Sequence, residues 1–206
     1  MNIRVLMLNR ADAETVPGGD TVQMLQTKKG LERLGVEVHA GFPADEAGLL
    51  DYDIIHIFNW QQLEPILAKL PPPALDRLVL SPIFWYHTGH WFDTAMQKPL
   101  WRTACKVWGE DRARRIYETW QQEKFTWGSE GRRLRRQLAV PKQVLPNSLI
   151  ELEHLETVAG MRGKLRPRTT IVPNGVERDL FEPLPQPGRN IRGELGIERF
   201  VLEVAR

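Results

Sequence analysis

The chain has 206 residues, of which 42% are hydrophobic and 26% charged, with a formal net charge of +2 at pH 7. These values are typical of globular proteins and exclude a collagen-like, low-complexity or disordered chain. The single cysteine, Cys105, excludes an intramolecular disulfide framework and fits a reducing compartment. No apolar run approaches the roughly 20 residues that cross a bilayer, and the N-terminus becomes polar too soon for a signal peptide. We therefore expect a cytoplasmic protein.

The first part of the chain predicts one βαβ unit. Residues 3–8 form a short apolar run typical of a central parallel strand. A polar loop separates this run from a helix over 21–34, for which Asp20 or Thr21 is the expected N-cap. Alternating apolar and polar residues over 36–42 predict a second strand. The expected apolar face of the helix consists of Met24, Leu25, Leu31 and Leu34.

Strands and helices continue to alternate along the chain. This alternation predicts an α/β fold with a doubly wound, Rossmann-like parallel sheet and a helical insertion after the fourth strand. In the last predicted helix, Ser148 is the expected N-cap and Glu151 completes a capping box. Further strands are predicted over 53–58, 77–81, 143–145 and 169–172, and further helices over 61–70, 91–138 (broken near Pro99, Gly109 and 128–131) and 148–161.

The near-zero net charge hides an uneven distribution. Residues 98–142 contain 12 Lys and Arg against 5 Asp and Glu, a net charge of +7, so the rest of the chain carries −5. Six of the seven tryptophans lie between Trp85 and Trp127. Three interpretations stay open for this segment: an amphipathic contact with a membrane surface or an anionic acceptor, a nucleic-acid interface, and an ordinary helical pair with a solvated basic face. We expect no nucleic acid as a partner, because the chain has no recognised nucleic-acid module.

Ligands of parallel α/β sheets bind outside the carboxyl ends of the strands. The candidate ligand-binding residues are therefore those that directly follow each predicted strand, in the segments 9–20, 59–60, 81–90, 147 and 174–175. From these segments, Asn9, Asn59, Trp60, Asn147, Asn174 and Gly175 are candidates for binding a ligand.

The loop before the first helix contains Gly18, Gly19 and Asp20. Two glycines at this place allow the backbone to approach a ligand closely, and the helix N-terminus offers free N–H groups to a phosphate. The loop matches neither a dinucleotide fingerprint nor a P-loop. A purely structural turn is the alternative interpretation.

Two histidines, His87 and His90, follow the fourth predicted strand and are candidates for a catalytic base. The alternative is that one or both are surface loop residues. Their spacing would suit a metal pair, but no third ligand is evident, so no metal site is predicted. Asp51 and Asp53 have the spacing of a metal-binding carboxylate pair, but they lie at the N-terminal end of a strand, where ligands of parallel sheets do not bind. His56, within that strand, is expected to be a core residue.

Several of these segments, taken in order, resemble the N-terminal half of a GT-B glycosyltransferase of the family 4 (group 1) type. The resemblance covers nearly the whole chain except roughly 91–140. The most specific piece is Ile171–Val176 followed by Leu180 and Phe181, which is similar to the segment that closes the acceptor domain of that family. The other pieces are the strand to Asn9, the loop of Pro17, Gly18, Gly19 and Asp20, the helix ending at Gly35 with Val36–Val38 after it, the strand from Tyr52 to His56, and Phe200–Arg206.

The resemblance implies a retaining, metal-independent transferase that moves a sugar from a nucleotide-sugar to a carbohydrate or lipid-linked acceptor. It gives the Gly18–Gly19–Asp20 loop contact with the donor phosphates or the acceptor, and it requires no cofactor besides the nucleotide-sugar substrate. Many family members carry a histidine directly after the fourth strand, where this sequence has Ser81 and Pro82. His87 and His90 are candidates for that role by position alone.

The resemblance also implies a domain organisation. Residues 1–180 are expected to form the acceptor-binding domain, 181–199 an interdomain linker, and 200–206 the first strand of a second, donor-binding domain. The 206-residue chain by itself is then expected to be folded but inactive, and peripheral membrane contact through 98–142 is the expected membrane role. The alternatives are a non-catalytic sugar- or nucleotide-binding module, an acceptor subunit of a split transferase, and an unrelated doubly wound protein.

Overall fold

The computed structural model describes residues 3–13, 15–41, 47–86 and 89–175, without the side chains of 47 and 89–91. All described elements belong to one compact unit, Met1–Asn174. The predicted linker over 181–199 and the predicted strand over 200–206 lie outside the described residues, as does His87.

The centre of the fold is a five-stranded sheet in which every strand pair is parallel. The strand order is β2-β1-β3-β4-β5, so the chain first moves to one side of β1 and then to the other. This arrangement confirms the predicted α/β class and the predicted parallel sheet. The strands are β1 (Arg4–Leu8), β2 (Glu37–Ala40), β3 (Ile54–Phe58), β4 (Leu78–Ser81) and β5 (Gln143–Val144).

Seven α-helices are present in the described part of the chain, and helices cover both faces of the sheet. On one face, Met24 and Leu31 from the first helix pack against Val5, Met7 and Phe58. The larger core on the other face includes Leu6, Ile55 and Leu80 together with residues of the second, sixth and seventh helices. The helices are α1 (Gly19–Arg33), α2 (Leu63–Leu67), α3 (Gly89–Ala95), α4 (Pro99–Trp108), α5 (Glu110–Trp127), α6 (Ser129–Leu138) and α7 (Leu149–Ala159).

The first helix differs from its prediction at the N-terminus and along its apolar face. It begins two residues earlier than predicted, with Gly18 rather than Asp20 or Thr21 as the N-cap. The Thr21 hydroxyl, three residues on, accepts a hydrogen bond from the Gly18 N–H at 3.3 Å, which favours this earlier start. Leu25 and Leu34 were predicted to be buried but are exposed, because only Met24 and Leu31 turn toward the sheet.

Two other predicted elements are wrong in part. The helix predicted over 61–70 is a 3₁₀ turn at Trp60–Gln62 followed by the short helix α2. The strand predicted over 169–172 is reduced to a single parallel bridge between Val144 and Thr169. Hydrogen bonds from Thr170 N–H to the Val144 carbonyl (3.1 Å) and from Val172 N–H to the Pro146 carbonyl (2.9 Å) hold this segment beside β5.

The outer edge of the sheet at β2 is contacted by α1. Lys28 Nζ donates a 2.6 Å hydrogen bond to the Val38 carbonyl and forms an ion pair with Glu32 at the same distance. Residues 37, 39 and 41 direct their backbone groups toward β1, so the Val38 carbonyl points away from the sheet.

The helical region after β4 is confirmed, with breaks where they were predicted. Pro99 begins α4, and Gly109, at a φ of 81°, separates α4 from α5. The two helices form a hairpin around the Trp101 ring, which meets the Tyr117 ring at 4.9 Å in an edge-to-face arrangement. This positive φ is accessible to glycine at little cost, which is why the hairpin turns at this residue.

Candidate functional site

The strand order places a crevice at the carboxyl ends of β1 and β3. The chain changes direction between these two neighbouring strands, and ligands of parallel α/β sheets bind at such a point. Asn9 follows β1 and Asn59 follows β3, while the N-terminus of α1 lies beside them. The candidate functional site is built from these three segments.

The Asp20 carboxylate is the centre of the polar contacts in this crevice. Its Oδ2 atom lies 3.3 Å from Arg10 Nε and accepts a 3.3 Å hydrogen bond from Asn59 Nδ2. Its Oδ1 atom accepts a 2.8 Å hydrogen bond from the Thr21 N–H. Asp20 is only 8% exposed, so burial makes these partners necessary. The carboxylate therefore holds together residues that lie 49 positions apart in sequence, Arg10 and Asn59.

Gly18 permits the close packing of this network. A Cβ atom at Gly18 would lie 2.7 Å from Asp20 Oδ1 and 3.0 Å from Arg10 Nη2. The Arg10 guanidinium also donates to the Val16 carbonyl, across the same loop. Any larger residue at position 18 would displace the carboxylate or the guanidinium.

The first turn of α1 supplies backbone donors beside Arg10. Within the described residues, the N–H groups of Gly19 and Asp20 donate to no acceptor, as expected at a helix N-terminus. Together with the helix dipole they favour an anionic group of a ligand, whereas the Arg10 guanidinium is already paired with Asp20 at 3.3 Å and with Asp12 at 3.5 Å. Asn9 adds one more polar group, because its buried Nδ2 atom has no hydrogen-bond partner in the part of the chain that is described.

Asn59 holds an unusual backbone conformation at the end of β3. Its φ of 74° and ψ of 118° are rare for a residue with a side chain. Two contacts compensate: its Oδ1 accepts a 3.0 Å hydrogen bond from Gln61 N–H, and its own N–H donates to the Ser81 carbonyl at 2.9 Å. This strained turn directs the Asn59 amide toward Asp20, and strain of this kind is concentrated at functional sites.

A second network joins the loops after β4 and β5. Glu151 of α7 accepts hydrogen bonds from the Phe84 N–H at 2.5 Å and from the Asn147 N–H at 2.6 Å. Burial raises the pKa of the Glu151 carboxyl, while these two backbone donors act in the opposite direction. Next to Phe84, Ile83 has a φ of 45°, which is rare for a β-branched residue. Glu151 therefore fixes the loop that follows β4.

His56 and Ser81 form a buried pair beneath the crevice. His56 Nε2 lies 2.9 Å from Ser81 Oγ, and both residues are less than a tenth exposed. Burial lowers the pKa of His56 to about 4, so its ring is neutral at pH 7. Although a serine beside a histidine resembles a nucleophile and its base, both side chains are enclosed in the core. The pair is structural, as was predicted for His56.

A groove of about 240 Å³ opens beside the crevice, between the Trp60 turn and α6. The Trp60 ring forms part of its wall and packs 5.2 Å from the Phe84 ring. An ion pair between Arg133 and Glu64, 3.1 Å long, contributes charged groups of both signs. Other residues lining the groove are Gln61, Phe125, Glu130, Leu134 and Gln137.

The structure brings some of the predicted site residues together and leaves others apart. Gly18, Gly19, Asp20, Asn9 and Asn59 meet in the crevice. Trp60 lines the adjacent groove, and Asn147 belongs to the Glu151 network. Asn174 and Gly175 are exposed and form no hydrogen bond with the other candidates among the described residues. His90 is described only as backbone within α3, and His87 lies outside the described residues.

Two residues of the site were not singled out from the sequence, although Arg10 lies in the 9–20 loop that was expected to contribute to it. Arg10 directly follows Asn9, and a cation just after a parallel strand was a usable signal for it. Glu151 was assigned only a local capping role, and its carboxylate instead reaches Phe84, 67 residues away. The Ser148 hydroxyl does accept from the Glu151 N–H at 3.1 Å, so the predicted N-cap is confirmed.

The described part of the chain contains no cluster of three His, Cys, Asp or Glu side chains arranged to hold a metal ion. Asp53, half of the apparent metal-binding pair, accepts a 2.8 Å hydrogen bond from the Arg4 N–H at the opposite end of the sheet. Among the helices that the structure describes, none has both the length and the apolar character required to cross a bilayer.

The chain matches no known protein family and no curated protein. The resemblance to glycosyltransferases therefore rests on the sequence motifs, and the geometry of the crevice carries the functional argument.

Proposed function

We propose that the chain is the acceptor-binding half of a retaining, metal-independent GT-B glycosyltransferase. The proposal combines the ordered motifs of the family 4 type with one structural observation. This observation is the position of the Gly18–Gly19 turn. The turn lies at the N-terminus of α1 beside Arg10, at the point between β1 and β3 where the order of the strands reverses.

The site has the chemistry that a sugar transfer needs. When a sugar leaves a nucleotide-sugar, the bond between the anomeric carbon and the diphosphate breaks, and negative charge grows on the diphosphate. The bond between the anomeric carbon and the acceptor oxygen forms as the acceptor hydroxyl passes its proton to the departing diphosphate. Free N–H groups at Gly19 and Asp20 at the start of α1 suit negative charge of this kind, and the Arg10 guanidinium, paired with Asp20, lies beside them. Because Asp20 fixes Arg10 in advance, little reorganisation accompanies the reaction.

The groove beside Trp60 suits a hydroxylated acceptor. Its aromatic ring offers an apolar surface, and Gln61, Glu64 and Arg133 offer donors and acceptors to hydroxyl groups. Pockets that combine apolar walls with a few polar groups are the usual form of small-molecule sites. The groove begins one residue after Asn59, so an acceptor there would lie next to the crevice.

The proposal is tested by expressing the 206-residue chain and any longer protein that its gene encodes, and assaying nucleoside diphosphate release from UDP- and GDP-sugars with candidate acceptors. We expect transfer from the longer protein and none from the 206-residue chain. Gly18→Ala should lower kcat/KM by at least about tenfold, because a misplaced charge at the reacting group has effects of this size. Gly30→Ala is the matched control, since a Cβ at Gly30, in the same helix, meets no atom within 4 Å.

Robust turnover by the 206-residue chain alone would contradict the two-domain proposal. A longer protein that transfers no sugar from any nucleotide-sugar would contradict the enzymatic assignment. Equal loss of activity in Gly18→Ala and Gly30→Ala would show that the Gly18 turn has no special role.

A further inference from the structure

The α4–α5 hairpin has one side that packs on α3 and an opposite side that is exposed. Two contacts identify the side that faces α3. Cys105 Sγ lies 3.4 Å from Sδ of Met96, the residue directly after α3, and the Arg114 guanidinium lies 4.7 Å from the centre of the Phe92 ring. At about 100° per residue, five apolar side chains lie a third to half a turn away from these contacts. They define the outer face of the hairpin: Leu100, Val107, Ile116, Trp120 and Trp127.

These side chains are unusually accessible for their size. Leu100 is 72% exposed, Val107 69% and Trp127 64%. On α5, the residues recur at the spacing of a single helical stripe. The Trp120 ring lies 6.4 Å from the Trp101 ring, so the stripe on α5 adjoins α4. Several large apolar side chains exposed side by side on a protein surface are typical of an interaction site.

Cations without carboxylate partners surround the outer face. Two carboxylates of the hairpin have partners within it: Glu110 pairs with Arg114, and Glu123 accepts a hydrogen bond from the Trp127 indole at 2.6 Å. Lys124 Nζ lies 5.3 Å from the centre of the Trp120 ring. Within the described residues, five exposed cations of the hairpin form no ion pair. Arg102 is one of them, but it donates to the Met96 carbonyl on the α3 side at 2.8 Å; the other four are Lys106, Arg112, Arg115 and Lys124.

We propose that the outer face of the hairpin lies on the surface of an anionic lipid bilayer. Leucine, valine and isoleucine side chains insert at the boundary of the acyl chains, indole rings occupy the headgroup level, and the unpaired cations contact lipid phosphates. Both halves of the surface, apolar and basic, are then used by one partner. This inference is independent of the proposed sugar transfer.

Two other partners, a nucleic acid and a second copy of the chain, match the apolar and basic side chains of the outer face less completely than a bilayer does. A nucleic acid would neutralise the cations but would leave Leu100 and Val107 in water. A second copy of the chain, related by a twofold axis, would place the same unpaired cations opposite one another, which is unfavourable. An anionic bilayer satisfies both sets of side chains.

The test is co-sedimentation of the 206-residue chain with phosphatidylcholine vesicles, with and without phosphatidylglycerol. We expect binding to the anionic vesicles that decreases as salt is added. The double variant Leu100→Ser/Val107→Ser should weaken this binding by about tenfold, because two aliphatic side chains no longer insert. Lys106→Gln/Arg112→Gln should weaken it at low salt, by removing charge without removing apolar surface.

Matched controls change equally exposed residues elsewhere. Leu34→Ser/Ile150→Ser alters side chains that are 80% and 78% exposed, and Arg33→Gln/Arg162→Gln removes two exposed cations. Both controls should bind as the unchanged chain does, and circular dichroism should show every variant folded. No binding to anionic vesicles, or equal losses in variants and controls, would overturn the proposal. So would tighter binding to nucleic acid than to vesicles, or a dimer that Leu100→Ser/Val107→Ser dissociates.

Discussion

Arg10 Nε lies 3.3 Å from Asp20 Oδ2, so an ion pair joins the two ends of the loop between β1 and α1. Both side chains are largely shielded from water, at 23% and 9% exposure. In a double-mutant cycle with Arg10→Gln and Asp20→Asn, we expect a coupling free energy of roughly 1 kcal/mol. Urea unfolding of the four proteins measures it. A coupling of zero would mean that the contact does not stabilise the loop. The exposed pair Arg166–Glu153 is the control, and its coupling should be near zero.

The backbone conformation of Asn59 predicts an unusual order of stability, with the glycine variant more stable than the alanine variant. Asn59→Gly loses the side-chain bonds to Gln61 and Asp20 but relieves the backbone, whereas Asn59→Ala loses the bonds and keeps the strain. We expect the alanine variant to be less stable than the glycine variant by roughly 1–2 kcal/mol, measured by urea unfolding. At Gln26, an exposed position in α1, alanine should be the more stable of the two substitutions. The same order at both positions would refute the strain argument.

The buried His56 ring makes stability depend on pH. Its pKa is lowered from 6.5 to about 4 in the folded chain, so the unfolded chain binds more protons between these values. The stabilisation is complete above pH 6.5 and is lost as the pH falls toward 4, and the loss at pH 5 is about 2 kcal/mol. We expect His56→Gln to remove this dependence, measured as the difference from the unchanged chain at pH 7 and pH 5. His39→Gln removes an exposed histidine and is the control. A difference between His56→Gln and the unchanged chain that does not vary with pH would exclude this effect.

The Glu151 carboxyl should make stability depend on pH in the direction opposite to that of His56. Its folded pKa is raised above 4.5, so the folded chain binds the proton more readily than the unfolded chain does. The contribution of Glu151 to stability therefore increases as the pH falls through the interval between these two pKa values. Relative to Glu151→Gln, the unchanged chain should gain stability as the pH is lowered toward 4.5, and Glu153→Gln on the same helix should show no such change. If the unchanged chain loses stability relative to Glu151→Gln on acidification, burial does not dominate the pKa.

Local signals predicted the helical region after β4 well. Pro99 and Gly109 determine where helices begin and end through their own backbone, so their effect is visible in sequence. The meeting of Asp20 and Asn59 was also predictable, since both follow strands that a parallel sheet places side by side. The pairing of Arg10 with Asp20 and the reach of Glu151 to Phe84 were not, because they depend on distances that exist only after folding. No feature of the sequence near Ile83 indicates its positive φ.

The contacts of Lys28 and Thr170 affect how the protein assembles. A parallel sheet with free outer strands invites a further strand from another molecule, which leads to aggregation. Here Lys28 occupies the outward carbonyl of β2, and the 169–172 segment occupies the outward side of β5. Within the described residues, these contacts oppose the addition of a strand at the Val38 carbonyl and along β5. The described surface that stays accessible is made of side chains, and on the outer face of the hairpin these side chains suit a bilayer rather than a second copy of the chain.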